Sequence, residues 1–299
     1  MRRQLEGALQ TAAMNGFTSE TVGAPIIIAD APKGLKSMEV EINGKELKRA
    51  YLAPALAEAD ALIGFAHFKG HDVVGMGGAI KNLGVGGQTK IGKYWIHRQA
   101  KPKVVESKCN GCGECLPVCP SEAITLMEGK ALIDSGACLP CGFCLEFCDQ
   151  GALYAPFTTI PDQIENRVGE AASALVKRMG REKYGFINLA VDITPLCDCD
   201  PFLGIPFVPD IGVLASRDPV ALDRACCDLV TAMPGVPGSM AEEAEVMAPG
   251  VEKLNAIARL RWLATPGAEN CRPDWQIMLK AAESLGIGTQ DYELIKVTP

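Results

Sequence analysis

Cys109-Asn-Gly-Cys112-Gly-Glu-Cys115-Leu-Pro-Val-Cys119-Pro120 is followed, 29 residues on, by Cys138-Leu-Pro-Cys141-Gly-Phe-Cys144-Leu-Glu-Phe-Cys148-Asp149. Each run is Cys-x2-Cys-x2-Cys-x3-Cys. The match continues past the sulfurs, where Ala123-Ile124 aligns with Ala152-Leu153. The chain holds 13 cysteines in 299 residues, an odd number in a chain too long to need disulfide staples. The opening MRRQLEGALQTAAMNGF has two arginines but no continuous apolar run. It reads as a short amphipathic helix, with Leu5, Ala8, Leu9 and Ala12 on one face, and not as a secretion signal. The expected compartment is therefore cytoplasmic and reducing, where spaced thiols point to metal ligation. Only three histidines are present, which disfavours a His-rich metal centre.

A cubane iron–sulfur cluster needs four thiolates on four irons. Three cysteines at x2 spacing supply three corners from one curled loop, and the fourth comes from elsewhere. The runs resemble bacterial-type ferredoxins with two [4Fe–4S] clusters, over about residues 105–156. In that pattern the fourth cysteine of each run ligates the other cluster. The resemblance implies one cluster on Cys109, Cys112, Cys115 and Cys148, and a second on Cys138, Cys141, Cys144 and Cys119. Gly111, Gly113 and Gly142 let the backbone approach and turn amides toward the sulfurs. One position departs from the pattern: Pro120 follows Cys119, but Asp149 follows Cys148. That carboxylate is expected to lower the potential of the cluster sharing Cys148. Structural zinc is the competing expectation, but zinc sites favour separated Cys pairs over two triplet-plus-one runs.

Outward from this stretch the chain is ordinary in composition. Hydrophobic residues make up 48% and charged residues 22%, enough apolar matter for a real core. The net charge of −7 argues against a nucleic-acid or anionic-membrane binder, and no apolar run is long enough to span a bilayer. Pro25–Ala29, Ala61–Phe65, Phe186–Ile193, Phe207–Ala215 and Tyr292–Val297 read as strands. Asn43-Gly44 marks a hairpin between Met38–Ile42 and Glu46–Leu52. Helices are expected over 162–179, stopped by Gly180, from Asp218-Pro219 onward, near 250–264 and over 274–285. The pattern predicts an α/β fold, a mainly parallel sheet flanked by helices, with an inserted α+β ferredoxin-like two-cluster domain. The expected boundaries are 1–104 and 157–299 for the two parts of the α/β domain and 105–156 for the insert.

Two further segments stand out. The first is His67-Phe-Lys69-Gly70-His71…Gly75-Met-Gly77-Gly78-Ala-Ile-Lys81-Asn82-Leu-Gly84-Val-Gly86-Gly87. The second runs Asp192-Ile-Thr-Pro-Leu-Cys197-Asp198-Cys199-Asp200…Pro209-Asp210-Ile-Gly212…Asp218-Pro219-Val-Ala-Leu-Asp223. With the inserted cysteines they resemble the DUF362 family of iron–sulfur-centre proteins over nearly the whole chain. The resemblance implies architecture, and further α/β chain upstream of residue 1, so that part of the sheet is expected outside this chain or from a partner. Physically, glycine-rich turns make anion-binding nests. Gly75, Gly77, Gly78 and Asn82 are the candidate nest, with Lys69 or Lys81 as counter-charge. A phosphate, a carboxylate or a flavin phosphate would suit it; the competing expectation is a tight loop that needs glycine for packing. Gly87-x4-Gly92-Lys93 is not a phosphate loop, since Tyr94 replaces the Mg²⁺-holding hydroxyl, and Gly75-x-Gly77 lacks the third glycine of a dinucleotide turn.

His71 and Lys81 are the candidate catalytic groups, for proton transfer or substrate binding past the end of a strand. Cys197 and Cys199 are a candidate extra metal or redox pair, with simple packing the alternative. Cys226 lies on an apolar helical stripe and reads as core; Cys227 and Cys271 show no ligand spacing, and His97 reads as surface. The expected function is an iron–sulfur oxidoreductase relaying single electrons through two [4Fe–4S] clusters to an anionic substrate or second cofactor. A partner such as a ferredoxin or reductase would supply them, in an anaerobic or micro-aerobic cell. A non-catalytic electron-transfer subunit and a cluster- or metal-delivery factor are the alternatives.

Overall fold

The computed structural model describes residues 5–29, 36–97, 101–138, 141–154, 161–198, 202–263 and 271–297. In chain order its elements begin with α1 (Leu5–Met14), α2 (Ser19–Val22), β1 (Met38–Glu41), β2 (Arg49–Leu52), α3 (Pro54–Ala57), β3 (Leu62–His67), β4 (Lys69–His71), β5 (Gly75–Gly77) and α4 (Ala79–Lys81). A π-helical turn over Asn82–Gly86 leads to α5 (Lys90–His97), β6 (Lys103–Val104), β7 (Ile124–Met127), β8 (Lys130–Ile133), α6 (Phe143–Glu146) and β9 (Leu153–Tyr154). The chain continues through α7 (Pro161–Met179), β10 (Tyr184–Ala190), β11 (Gly212–Ser216), α8 (Pro219–Ala232), α9 (Met240–Glu243), α10 (Leu254–Leu263) and α11 (Trp275–Ser284). It divides into two compact units. One comprises Met1–Glu39, Tyr51–Glu58 and Gln88–Thr159; the other comprises Val40–Ala50, Ala59–Gly87 and Ile160–Pro299.

The first unit carries the cysteine runs. β7 and β8 form an antiparallel hairpin, Ile124 opposite Ile133, turned by Glu128 and Gly129 at positive φ, as tight hairpins require. β6 pairs antiparallel with β9, Val104 opposite Leu153, which clamps together the two ends of the cysteine-bearing stretch. Cysteines share the small core of this unit with aliphatic and aromatic side chains. Cys115 and Cys144 pack with Ile124, Ala131 and Leu153, and Cys141 packs with Val118 and Phe143.

The second unit is mixed α/β. Its three-stranded sheet has the order β11-β10-β3. β10 runs parallel to β3, Leu189 opposite His67, and antiparallel to β11, Ala190 opposite Gly212. β10 alternates, burying Tyr184, Phe186, Asn188 and Ala190. α8 packs on this sheet, and α7 packs against α11. Gly169 permits the α7–α11 approach, because a Cβ there would sit 2.2 Å from the Met278 carbonyl oxygen. Asp218 caps α8 by accepting from the Val220 and Ala221 amides, with Pro219 at the first helical position. Gly180, at φ 83°, follows the end of α7.

Several expectations need correction. The described strands make small mixed and antiparallel sheets, with β3–β10 the parallel pair; β11 returns antiparallel after a loop and not through a crossover helix. β3 forms, but only one face is covered: Ile63 is 73% and Phe65 60% exposed. Residues 25–29 are not a strand, pair with no described strand and leave Ile27 exposed. Residues 292–297 are likewise outside any strand and exposed. Apolar runs without a neighbouring ladder have no reason to become strands. The 207–215 run splits, with Phe207 and Val208 buried in a loop before the strand starts at Gly212, since Pro206 and Pro209 cannot donate to a ladder. α1 forms as expected, with none of its residues buried.

Candidate functional site

Several of the repeat cysteines lie close enough to feel one another's charge. The Cys115 thiol, raised by burial, also feels Cys112, Cys148 and Cys109. The Cys141 thiol, likewise raised by burial, feels Cys119 and Cys138. Burial drives Cys144 up to about 12, with Cys141, Cys138, Cys115 and Cys119 adding to the rise. Cys115 thus has Cys109, Cys112 and Cys148 as neighbours, while Cys144 has neighbours from both of the sets that the ferredoxin resemblance implies. Cys109, Cys112, Cys115 and Cys148 line one cavity, together with Gly111 and Gly113.

Backbone amides already serve these sulfurs. Ala123 N donates to Cys119 Sγ at 3.3 Å, and Ala152 N to Cys148 Sγ at 3.2 Å. These are equivalent bonds in the two halves of the repeat. Ala131 N donates to Cys109 Sγ at 3.4 Å, and that bond, with one from Gly111, lowers the Cys109 pKa. Among the described residues no three His, Cys, Asp or Glu side chains close round a single metal ion. Thiols spread round a cavity, with amides aimed at them, suit a cluster in which each thiolate binds a different iron. Such a donor set fits [4Fe–4S] chemistry.

The second unit gathers a different cluster. β3 ends at His67 and β4 starts at Lys69, so both side chains meet the loop after β10. His67 Nδ1 lies 3.0 Å from Asp198 Oδ1, and its Nε2 lies 2.9 Å from the Val191 carbonyl oxygen. Two acceptors facing one ring favour the imidazolium, and the His67 pKa is raised, chiefly by the Asp198 hydrogen bond. Lys69 Nζ donates to Asp198 Oδ2 at 2.5 Å. Burial works to raise the Asp198 pKa, but the hydrogen bonds and charges of His67 and Lys69 outweigh it and bring it down to about 2. Lys81 Nζ stands 3.9 Å from Cys197 Sγ. The two lysine stems flank Gly77: a Cβ there would lie 3.5 Å from Lys81 Cδ and 3.6 Å from Lys69 Cε.

Lys81 and Cys197 therefore come together, while the histidine joining this cluster is His67. His71 is bound into its own turn, where Nδ1 accepts from the Val73 amide at 3.1 Å and the Val74 amide at 3.4 Å, beside Asp72. The glycine nest has an internal anion. Asp223, fully buried on α8, accepts from the Ala79 and Ile80 amides, both at 2.8 Å, and from Asn188 Nδ2 at 2.7 Å. Burial pushes its pKa up to about 6 against the pull of those donors. Gly78 is needed for this approach, since a Cβ would fall 2.4 Å from Asp223 Oδ1. A Cβ on Gly75, which has φ 74°, would fall 2.6 Å from Asn255 Oδ1. Asn82 Nδ2 donates to the Phe65 carbonyl oxygen at 3.1 Å. Cys199 lies outside the described residues. Cys226 and Cys227 are both fully buried on α8, and burial raises both thiols. His97 is half-buried, its Nδ1 2.6 Å from the Lys93 carbonyl oxygen. The His67–Asp198 pair was missed in the sequence, though an aspartate between two cysteines and a histidine past a strand end were both visible there.

Eight cysteines in two equally spaced runs, carried by a chain with a mixed α/β unit, mark an iron–sulfur redox protein. The chain belongs to the family described as Domain of unknown function (DUF362), which matches residues 3–228. Over 119 residues it is 29% identical to an iron-sulfur subunit of the CoB--CoM heterodisulfide reductase of Methanocaldococcus jannaschii, covering 32% of this chain and 18% of that one. Over 98 residues it is 39% identical to a subunit of the H(2):CoB-CoM heterodisulfide,ferredoxin reductase of Methanothermobacter thermautotrophicus, covering 26% of this chain and 15% of that one. Over 50 residues it is 42% identical to a subunit of the ion-translocating oxidoreductase complex of Methanosarcina acetivorans, covering 17% of this chain and 19% of that one. The matched stretch is less than a fifth of each relative's length. No solved structure matches the chain. Among the described residues no helix is long and apolar enough to cross a membrane.

Proposed function

We propose that this chain relays single electrons through two [4Fe–4S] clusters to an anionic substrate or second cofactor bound in the α/β unit. Cys109, Cys112, Cys115 and Cys148 hold one cluster, and Cys138, Cys141, Cys144 and Cys119 hold the other. Bound there, each cluster supplies one-electron transfer. The chain's own contribution is to orient the thiolates, aim the Ala123, Ala131 and Ala152 amides at sulfur, and wrap the sites in Ile124, Leu153, Val118 and Phe143. The observation that carries this reading is the cysteine run given twice in the sequence, with Cys109, Cys112, Cys115 and Cys148 lining one cavity.

In the α/β unit Lys81 binds the substrate's charge, with Lys69 and His67 beside it. His71 is the candidate proton donor from the adjoining turn, and of the glycine segment Gly77, between the Lys69 and Lys81 stems, is the part beside the substrate, since Gly75, Gly78 and Asn82 are engaged by Asn255, Asp223 and Phe65. A soluble redox partner delivers the electrons. Anaerobically purified, reconstituted protein is expected to contain about eight irons and about eight acid-labile sulfides per chain. Zinc in their place, or about half that iron, overturns the two-cluster reading.

A second reading, a non-catalytic electron-transfer subunit, draws support from the relatives, which are themselves named as subunits of larger enzymes. The two readings separate in one measurement. Clusters reduced with dithionite are re-oxidised by substrate in an enzyme, and by a partner protein alone in a carrier.

A further inference from the structure

We propose that the α/β unit carries a second binding site, at the start of β10, which takes the phosphate group of a small organophosphate. It goes beyond the proposed function, whose anion site is at the other end of that strand. Tyr184 opens β10 opposite Leu62, whereas Leu189, five residues on and about 16 Å away, lies opposite His67. A cavity of about 240 Å³ lies at the Tyr184 end, lined by Arg181, Glu182, Tyr184, Arg217, Asp218 and Ile287. It is smaller than drug-sized sites of about 300–1,000 Å³, so its occupant is small.

Three donor groups line this cavity with capacity to spare. Tyr184 is only 6% exposed, yet its hydroxyl makes no hydrogen bond to a described residue. Burial raises its pKa, which keeps the phenol protonated and able to donate, and the charges of Arg181 and Arg217 reach the same group. Arg181 Nη2 donates to the Gly286 carbonyl oxygen at 2.8 Å. Arg217 Nη2 donates to the Arg181 carbonyl oxygen at 3.2 Å and to Glu182 Oε2 at 3.0 Å. These bonds hold both guanidinium groups, while the Nε and Nη1 atoms of each make no hydrogen bond to a described residue. The acceptors are otherwise engaged. Asp218 Oδ1 accepts from the Val220 and Ala221 amides, and its Oδ2 from the Thr289 amide. Glu182 stands in solvent, its side chain 87% exposed. The start of α8 offers no spare amide here, since Pro219 has none and Asp218 takes the next two, so the site rests on its side chains. Surplus donors call for a ligand with surplus acceptors. A carboxylate brings two oxygens, whereas a phosphate ester brings three terminal ones, one for each guanidinium and one for the hydroxyl. Ile287 supplies an apolar wall for the organic part.

The test titrates the full-length, cluster-loaded protein calorimetrically, under anaerobic conditions, with phenyl phosphate, benzoate and inorganic phosphate. Phenyl phosphate is expected to bind most tightly, because benzoate lacks the third oxygen and inorganic phosphate lacks the apolar part. Tyr184→Phe keeps the ring and removes only the hydroxyl. It should weaken phenyl phosphate binding about tenfold or more, the worth of a hydrogen bond to a charged group. Arg217→Met, at the surface, should weaken it at least as much, and carries the comparison should Tyr184→Phe fail to fold. Lys81→Met should leave this affinity in place, which separates the site from the anion site beside His67. The inference is overturned by a lack of saturable binding at millimolar phenyl phosphate, or by equal affinity for all three probes. A loss of binding in Lys81→Met but not in Tyr184→Phe or Arg217→Met would overturn it as well.

Discussion

The two halves of the cysteine repeat share a spacing and an N–H···S bond, yet they sit in different surroundings. In the first run Cys112 is exposed and Cys109 half-buried; in the second Cys138, Cys141 and Cys144 are all buried. The bonds from Ala123 to Cys119 and from Ala152 to Cys148 are equivalent, so the difference is not in the backbone frame. It comes from what packs outside it. The second run lies against Val118, Phe143, Ile91 and Phe147, whereas Gly113 in the first has only Leu126 near, 3.8 Å from where a Cβ would be. A duplicated cysteine motif thus yields one more exposed run and one more buried run.

The largest expected effect comes from removing one thiol from each half. Cys112→Ser and Cys141→Ser should each cost about four of about eight irons, since each thiol serves one cubane. They should differ in what remains. Cys141 is part of a buried apolar contact with Val118 and Phe143, so its variant should also lose thermal stability, while Cys112→Ser should fold nearly as the parent does. Iron analysis with a thermal melt checks both. Equal melts would break the comparison.

A sharper version uses the aligned glycines that follow those cysteines. Gly113 and Gly142 both hold positive φ, 79° and 74°. An alanine at either position adds backbone strain of about 1–2 kcal/mol. At Gly142 a Cβ would additionally fall 2.0 Å from Tyr94 Cδ2, inside the ring, whereas at Gly113 there is room. Gly142→Ala should therefore destabilise by about 3 kcal/mol or more, and Gly113→Ala by only the strain. Denaturant midpoints on matched iron-loaded samples measure the difference.

Solvent access gives a kinetic contrast. An iron chelator offered to oxidised protein should strip the first foursome severalfold faster than the second, because Cys112 opens it to solvent. Two-phase bleaching of the cluster absorption is the expected trace, with the fast phase absent in Cys112→Ser. A single phase would mean that the two sites open together.

The same contrast explains what could be read from the sequence. Local signals are read residue by residue, so the two cysteine runs, α7 with Gly180 after it and the Asp218 cap were all legible. The burial of Cys141 depends also on Ile91 and Val118, whose proximity no spacing encodes. In the α/β unit the apolar run at 186–193 announced a strand that forms at Tyr184–Ala190, but the antiparallel direction of its partner was not legible, because apolar content alone does not fix strand direction. Lys81 and Cys197 were flagged separately, 116 residues apart, and only the fold brings them to 3.9 Å. His67 was passed over for His71, because the choice turns on Asp198, which approaches through the loop after β10. The glycine nest read as an anion site since its amides are real donors; that Asp223 already accepts two of them is a tertiary fact.

The smallest effect concerns the residue where the two halves differ in kind, Pro120 after Cys119 and Asp149 after Cys148. Cys148 belongs to the first foursome, so the Asp149 charge bears on the open site. A reduced cluster carries one more negative charge than an oxidised one, and a neighbouring carboxylate opposes that addition. Asp149 is exposed, so solvent and salt screen most of its effect, leaving about 0.2–1 kcal/mol. For a one-electron couple that is about 10–40 mV. Asp149→Asn should raise one of two potentials by that amount and leave the other in place, and raising the ionic strength should shrink the gap between variant and parent. A redox titration followed by electron paramagnetic resonance resolves the two couples. Movement of both by equal amounts would mean that the carboxylate sits between the sites, and that the asymmetry of the repeat has another origin.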